Sequence, residues 1–579
     1  MLEFIQLLKQ RYQDVLSQQN QIPAPHLYQQ RIDQLIFAEA FIRKGQLLAA
    51  NLKPPLQIAV VGPTQAGKSS LVNVLLNSTA AGVSPLAGYT VHPQGFCQGV
   101  SFAECSGLQR YFGGFQCVAP HDLTKQRHDC YSLTENPGNS TLLPDCVLWD
   151  TPDFDSIDSA TYREGVIRAV ALADVVILVV SKEKYADQSV WDMMAMLEPL
   201  HQPTLICLNK LAEGSETLLV QSLKEKWQHT RSDAFPDVVP LYYQKPAGLP
   251  LWPEADKRLL ARLAGRVNAK KQPRFEQQLL QKYWPEWLQP VHEEHQALTE
   301  WQALIERVIT QALASYQRDF LNHPHHYETF QQALAELLIL LEIPGLAGVL
   351  AGARKALTWP VRQLMKLGRK RLHITDSSQE TILLSQIAEH TLIQLADHVL
   401  DKSEQGKQAL WWKELGSLLR RQRPDILQHF QGAAKTYHLS FQQDIEQTAH
   451  RLYHKLQEQP MVLNSLRATR VTADAAVIAL TLHTGGIGAH DLVIAPAMLT
   501  VTSLLAESAI GSYMHKVEAQ LKQQQLNAVK QALFIGSLST LLLGLPGQLS
   551  TRTYFNISPA QLYTAQQQLT EKRHGLRLL

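Results

Sequence analysis

The sequence predicts an α/β domain with a mostly parallel sheet and helices on both faces, flanked by N-terminal helices and a large C-terminal all-α region. Three observations predict this class. A glycine-rich loop separates a β-type run from a helical run, β-type and helical runs alternate between residues 56 and 265, and the β signal stops after residue 266. Alternation of this kind is typical of a parallel sheet that is covered on both faces.

Length and composition predict a multidomain protein of the cytoplasm. A chain of 579 residues is too long for one core, so we expect about two to four domains. Charged residues make up 18%, below the usual ~25%, which is compatible with sizeable apolar surfaces. The six cysteines form no Cys-x-x-Cys pair, and the N-terminus lacks the pattern of a secretory signal. We therefore expect neither a disulfide framework nor a zinc site.

Prolines and the change of pattern divide the chain into three predicted parts. Residues 1–53 form an N-terminal helical segment, which we expect to split near Pro23 and Pro25. Residues 54–266 form the α/β domain, and residues 267–579 form the helical region. The predicted strands are 56–61, 95–102, 145–150, 174–181, 203–208 and 238–243. The predicted helices of the α/β domain are 68–77, 161–172, 187–198, 217–229 and 254–266.

A phosphate-binding loop is the most informative motif. Gly62–Ser69 fit the pattern G-x-x-x-x-G-K-[ST], with a β-type run before them and helical spacing after them. In such loops backbone N–H groups face the phosphates, the lysine reaches the β- and γ-phosphates, and the last hydroxyl binds Mg²⁺. The predicted nucleotide-binding residues of this segment are Gly62, Thr64, Gln65, Ala66, Gly67, Lys68, Ser69 and Ser70.

A second element is an apolar strand that ends in a carboxylate. Cys146–Asp150 precede Thr151-Pro152-Asp153. An Asp at the end of such a strand can hold Mg²⁺, usually through water. We therefore expect Ser69 and Asp150 to bind the same metal ion. The alternative for residues 150–152 alone is a surface turn that happens to carry the sequence Asp-Thr-Pro.

Together the motifs resemble the ordered signatures of translation-factor-type GTPases. These are Gly62–Ser69, Ser84–Thr90, Asp150–Asp153 and Asn209–Ala212, and the Era/TrmE-like and bacterial dynamin-like branches are the most similar. The resemblance covers about residues 56–265 and implies GTP or GDP with Mg²⁺. It implies that Lys68, Thr90 and Asp150 support catalysis, that Ser69, Thr90 and Asp150 hold the metal, that Asp153 contacts the nucleotide, and that Asn209 and Lys210 hold the base.

The chain departs from the family pattern in three places. Asp153 stands where the family has Gly, Ala212 stands where it has the Asp that reads guanine, and the S-A-K-type loop is not clear. Phe154 stands where Ras-like enzymes have a water-positioning Gln, and apolar residues there occur in Era/TrmE-like and many dynamin-like relatives. The extra negative charge should weaken contact with a triphosphate. We expect slow hydrolysis unless a partner completes the site, for example a homodimer across the nucleotide. The long connection after Thr90 predicts an insertion at about 104–140.

The helical region carries three apolar segments, 343–353, 475–506 and 532–547. The first leads into a basic helix pattern, and residues 343–375 contain no acidic residue. A basic amphipathic helix beside an apolar segment is typical of a membrane surface, while a packed helix with a solvated basic face is the alternative. The arms of 475–506 are shorter than the ~20 residues of a membrane span, so we expect shallow contact or internal packing.

The predicted function is a nucleotide-dependent switch with GTP binding and slow hydrolysis. We expect a cytoplasmic protein, with peripheral contact to the cytoplasmic face of the inner membrane through 343–375 and 475–506. One alternative is an assembly GTPase of ribosomes or RNA; DNA binding is not expected. The other alternative is a scaffold that binds nucleotide and scarcely hydrolyses it.

Overall fold

A computed structural model describes residues 1–18, 25–50, 54–83, 90–124, 126–136, 138–153, 159–211, 214, 216–242, 252–323, 333–334, 337, 379–405, 409–461 and 511–575. The chain forms two compact units. The first is Met1–His292 with Ser550–Leu579, and the second is Glu293–Leu549. This division differs from the predicted boundaries at residues 53 and 266, because the N-terminal helices share a hydrophobic core with the sheet.

The first unit contains an eight-stranded sheet with the order β3-β4-β2-β5-β1-β6-β7-β8. All neighbouring pairs are parallel except β2 and β5, which run antiparallel. The predicted mostly parallel sheet is therefore confirmed. The strands are β1 Leu56–Val61, β2 Gln94–Gln98, β3 Gln116–Cys117, β4 Cys130–Glu135, β5 Cys146–Asp150, β6 Val175–Ser181, β7 Thr204–Leu211 and β8 Asp237–Tyr242.

The segment 104–140, which we expected to be an insertion, contributes to the edge of the sheet. It contains helix Gly107–Phe112 and strands β3 and β4. Tyr131 of β4 stacks on Phe112 with ring centroids 4.2 Å apart, and Phe112 also packs on Trp149 at 5.5 Å. These aromatic contacts bury the segment against the sheet.

Both faces of the sheet are covered, as the alternation of elements predicted. Ala59 and Val61 of β1 belong to the core that includes the N-terminal helices, while Ile58 and Val60 belong to the core on the other face. Successive residues of a strand point to opposite faces, which explains why β1 is apolar except for Gln57, whose buried Oε1 accepts a hydrogen bond from Trp149 Nε1 at 2.7 Å. The α-helices that begin in the first segment of this unit are α1 Leu2–Gln18, α2 Pro25–Ala49, α3 Lys68–Leu76, α4 Gly107–Phe112, α5 Ser159–Leu172, α6 Gln188–Leu197, α7 Glu216–Thr230, α8 Leu259–Ala264 and α9 Gln272–Tyr316. The residues of α9 after His292 belong to the second unit.

The second unit is helical. Its elements after α9 are α10 Gln379–Gln405, α11 Ala409–Gln457, α12 Gly511–Ala528, a π-helical stretch Val529–Ser539 and α13 Thr540–Leu549, whereas α14 Pro559–Gly575 belongs to the first unit. The buried Glu380 carboxylate accepts hydrogen bonds from the Tyr316 hydroxyl at 2.6 Å, the Tyr437 hydroxyl at 3.0 Å and Gln525 Nε2 at 2.9 Å. One carboxylate thus joins side chains from α9, α10, α11 and α12.

Of the predicted apolar segments, 532–547 lies within the described residues, while 343–375 and 475–506 lie outside them. By length and composition one described helical stretch, Ser512–Leu549, could cross a membrane, and 39% of its most apolar window is buried inside the protein. Part of this stretch packs in the second unit, where Trp301 Nε1 donates to the carbonyl oxygen of Leu542 at 3.1 Å. A core helix of a soluble protein meets the same criterion.

Candidate nucleotide-binding site

The loop Gly62–Ser69 connects the end of β1 to the start of α3, as predicted. Two of its positions require glycine. A Cβ at Gly62 would lie 2.2 Å from the carbonyl oxygen of Val179, and a Cβ at Gly67 would lie 2.2 Å from Asn209 Nδ2. Gly67 also has φ +93°, which L side chains rarely adopt. The loop therefore runs closely against β6 and β7.

Lys68 is the first residue of α3 and is buried, with 6% of its side chain exposed. Its Nζ donates to the carbonyl oxygens of Gly62 at 2.9 Å and Pro63 at 3.1 Å. It also pairs with the carboxylate of Asp153. An ammonium group has three N–H donors, and these three acceptors account for all of them.

Ser69 and Asp150, which we expected to hold the same metal, are joined by a hydrogen bond. Ser69 Oγ donates to Asp150 Oδ2 at 2.7 Å. The second oxygen, Oδ1, is buried and has no hydrogen-bond partner among the described residues. Burial raises the pKa of Asp150 to about 6, while the hydrogen bond from Ser69 and the charge of Lys68 lower it and the charge of Asp153 raises it. A buried carboxylate oxygen without a partner is costly unless a donor or cation compensates it.

Asn209 and Lys210, at the end of β7, bind the backbone of the loop. Asn209 Nδ2 donates to the carbonyl oxygen of Ala66 at 2.8 Å, and Lys210 Nζ donates to that of Gln65 at 2.7 Å. Gln65 and Lys210 both have φ of +60°. These contacts hold the loop between the strands, at the edge where the carboxyl ends of parallel strands meet.

Sequence reasoning assigned no role to Thr151, which fixes the turn after β5. Its buried Oγ1 donates to the carbonyl oxygen of Val60 at 2.8 Å. This bond holds the chain from Asp150 to Asp153 beside the first strand. The only signal was the position of a hydroxyl residue directly after the strand-end carboxylate, and that pattern is too common to predict a contact 91 residues away.

Thr90, the predicted third metal ligand, does not join Ser69 and Asp150 in the described part of the chain. Thr90 is half-buried and makes no hydrogen bond to Ser69 or Asp150 within the described part of the chain. Thr64 lies in the loop and Ser70 lies half-buried in the first turn of α3. Residues 84–89, Phe154 and Ala212 lie outside the described residues.

The chain was compared with known proteins. Residues 57–210 match the family described as 50S ribosome-binding GTPase. A comparison with curated proteins finds no match. The solved structures that resemble the chain include one described as an oligomerised bacterial dynamin pair for long-range sensing and tethering of membranes. It is 12% identical, covers 94% of this chain and 95% of that chain, and has a TM-score of 0.35.

A second chain, described in the same terms, is 13% identical, covers 94% of this chain and 81% of that chain, and has a TM-score of 0.26. A third structure, described as LeoA, a bacterial dynamin GTPase from ETEC, is 11% identical and has a TM-score of 0.22. The match covers 95% of this chain and 97% of that chain. The family match, rather than these likenesses, bears on the site. The similarity to this GTPase family covers the part of the chain that holds the phosphate-binding loop and most of the sheet.

Proposed function

We propose that the chain is a nucleotide-dependent switch that binds GTP with Mg²⁺ and hydrolyses it slowly. One observation carries the proposal. Ser69 Oγ and Asp150 Oδ2 are 2.7 Å apart beside a phosphate-binding loop whose lysine is buried within reach of the loop's own carbonyls. A hydroxyl and a carboxylate at this place would suit a divalent cation that binds together with the phosphates of a nucleotide.

The residues present fit Mg²⁺. Asp150 Oδ1 is a buried oxygen with no partner among the described residues, and both candidate ligands are hard oxygen donors, which Mg²⁺ prefers. In the described part of the chain no cluster of three or more His, Cys, Asp or Glu side chains could hold a metal. A site with so few protein ligands suits an ion that keeps waters and binds phosphate oxygens. When bound, Mg²⁺ neutralises phosphate charge.

The proposed roles of the residues follow from their contacts. Gly62 and Gly67 let the loop run closely against β6 and β7, which would leave its backbone N–H groups to face the phosphates, and Lys68 would supply positive charge at the terminal phosphates. Ser69 and Asp150 hold the metal, with Thr90 as a proposed third ligand when nucleotide is bound. Lys68, Thr90 and Asp150 are the proposed catalytic residues, and none of them orients the attacking water. We therefore propose that hydrolysis is slow and that a homodimer formed across the nucleotide accelerates it.

Guanine is the proposed base because residues 57–210 match a GTPase family. Asn209 and Lys210 carry this part of the site, and their contacts to Ala66 and Gln65 place them next to the loop. Ala212, which replaces the family's guanine-reading Asp, offers no side-chain acceptor, and selectivity normally depends on such buried polar pairing. Preference for GTP over ATP is therefore a central test.

The deciding experiment is calorimetric binding of GTP, GDP and ATP to the full chain with Mg²⁺. We expect GTP and GDP to bind and Lys68→Ala to remove tight GTP binding, since it deletes the buried cation of the loop. Lys182→Ala, which changes an exposed lysine of the same domain, is the matched control and should bind as wild type does. Unchanged GTP affinity in Lys68→Ala would show that the nucleotide lies elsewhere.

We further propose that the helical region contacts membranes peripherally from the cytoplasm, through residues 343–375 and 475–506. The support is the absence of acidic residues between 343 and 375 together with the apolar segment 343–353. Replacement of the basic residues between 354 and 371 by Gln should release the protein from anionic liposomes in co-sedimentation. Persistent binding of this variant would contradict the assignment to this segment.

Two other functions have specific support. The matching family is described as ribosome-binding, so co-sedimentation with ribosomes instead of liposomes would favour an assembly GTPase of ribosomes or RNA. The pairing of Lys68 with Asp153 favours a scaffold with weak triphosphate binding. Single-turnover hydrolysis at the rate of free GTP, in the presence of liposomes and of ribosomes, would favour the scaffold.

A further inference from the structure

Asp153 forms an ion pair with Lys68, the residue that a phosphate-binding loop uses to contact the terminal phosphate. Its carboxylate pairs with Lys68 Nζ, and the side chains of Lys68 and Asp153 are only 6% and 13% exposed. A partly buried ion pair of this kind is screened far less than one on the surface. The contact is therefore a substantial part of the electrostatics of the resting site.

The remaining donors of Lys68 are also used. Two of its N–H groups bind the carbonyl oxygens of Gly62 and Pro63, which belong to the loop backbone. A phosphate oxygen that binds Lys68 must replace one of the three acceptors. Asp153 accepts through its side chain, whereas the other two acceptors are backbone carbonyls of a loop that is packed closely against β6 and β7. The carboxylate is thus the partner that phosphate displaces.

We propose that Asp153 is a specificity-determining residue that competes with the terminal phosphate of a nucleoside triphosphate for Lys68. This inference rests on the proposed function of the site. In the resting protein the carboxylate neutralises Lys68. In the bound protein it must leave Lys68 and remain near a polyanion, which like-charge repulsion disfavours. The penalty is largest for a triphosphate, since its γ-phosphate brings further negative charge to Lys68.

If Asp153 competes with phosphate for Lys68, removing its charge should change stability and triphosphate affinity in opposite directions, which no other role of Asp153 predicts. Asp153→Asn keeps the size of the side chain and removes its charge. The empty variant should be less stable than wild type, because Lys68 stays buried without its counter-charge. The same variant should bind triphosphate more tightly. A residue that only supports the fold would lower both quantities, and a residue that binds Mg²⁺ directly would lower triphosphate affinity.

The test compares GMPPNP and GDP, each with Mg²⁺, by calorimetry on full-length wild type, Asp153→Asn and Asp153→Ala, with thermal unfolding of each empty protein. We expect a lower melting temperature and an increase in GMPPNP affinity of about 10- to 100-fold, the range of coupling seen for close charge pairs. The change for GDP should be smaller. Asp187→Asn, which changes a carboxylate at the start of α6, is the control and should leave both affinities unchanged.

The failures of the two proposals are distinguishable. Nucleotide binding by wild type, combined with equal or weaker GMPPNP binding by both Asp153 variants, would overturn the role of Asp153 and leave the nucleotide site intact. An equal gain for GDP and GMPPNP would overturn the specificity for the terminal phosphate. No nucleotide binding by any of the proteins would overturn both proposals together.

Discussion

The substitution Asp150→Asn should stabilise the empty protein while it removes Mg²⁺-dependent nucleotide binding. Burial raises the pKa of Asp150 from its ordinary value of 3.8 to about 6. Because the folded-state pKa is raised, the stabilising contribution of this group is present below pH ~4 and is lost as the pH rises through about 6. The full loss is about 3 kcal/mol, at about 1.36 kcal/mol for each pH unit between the two values.

Asparagine cannot ionise, so the variant escapes this loss. Between pH 4.5 and 7.5 the stability difference between Asp150→Asn and wild type should therefore grow by about 2 kcal/mol in favour of the variant. This corresponds to a rise of about 3 °C in the difference of melting temperatures for a cooperative unit of roughly 300 residues. The change of this difference with pH is the decisive quantity, because the packing of asparagine adds a term that does not depend on pH.

The assay is thermal unfolding of both proteins without metal or nucleotide at several pH values. In a Ser69→Ala background the stability difference between the Asp150→Asn variant and the protein with Asp150 should increase at a higher pH, because the hydrogen bond from Ser69 lowers the pKa of Asp150. A difference that stays constant, or that shrinks as the pH rises, would refute the assignment of a buried and poorly compensated carboxylate. Calorimetry at pH 7.5 with and without Mg²⁺ then checks the loss of metal-dependent GTP binding.

Three further outcomes are expected. Gly67→Ala should abolish GTP binding in calorimetry, because its φ is +93° and its Cβ would lie 2.2 Å from Asn209 Nδ2; retained affinity would show that the loop can move away. Glu380→Ala should destabilise the second unit by about 3–5 kcal/mol, because three buried donors lose a charged acceptor. Urea unfolding with hydrogen exchange of peptides from α10 to α12 measures this change, and Glu389→Ala, an exposed change on the same helix, should cost under ~0.5 kcal/mol. Wild-type GTP affinity should rise between pH 5 and 7 with Mg²⁺ present, as Asp150 ionises through about 6; a flat profile in calorimetry would contradict the role of Asp150 as metal ligand.

The sequence predicts those parts of the fold that are encoded locally. The run Leu56–Val61 is apolar except for Gln57 because both faces of β1 are buried, and the glycine spacing that follows is fixed by close contacts of the loop. The helix after the loop follows from apolar spacing alone. For these reasons the predicted strand, loop and helix lie where the structure has them.

The missed elements depend on contacts that are distant in the chain. Strand β4, Cys130–Glu135, mixes polar and apolar residues, and it is stabilised by the stacking of Tyr131 on Phe112. The antiparallel pairing of β2 with β5 could not be predicted from the alternation of β-type and helical runs. That alternation indicates which elements form the layers, but it does not give the direction of each strand. Register and direction are decided by tertiary packing.

The candidate site shows the same limit at the level of side chains. The meeting of Ser69 with Asp150 could be predicted because both belong to recognised motifs. The pairing of Lys68 with Asp153 could not, since the two are 85 residues apart and the family pattern has glycine at the second position. Sequence analysis predicted extra negative charge beside the phosphates, and only the structure shows which cation it meets.

The site without nucleotide contains the buried ammonium group of Lys68 and two carboxylates, Asp150 and Asp153, which differ in how their charge is compensated. Asp153 has Lys68 as its partner, whereas one oxygen of Asp150 has none among the described residues. On the proposed mechanism a magnesium nucleotide would reverse this difference, because the metal would compensate Asp150 and the terminal phosphate would replace Asp153 at Lys68. The two carboxylates belong to one short turn, which Thr151 fixes to β1. On the proposed mechanism Asp150 therefore stays anchored, and Asp153 is the carboxylate that moves away from Lys68 when phosphate binds.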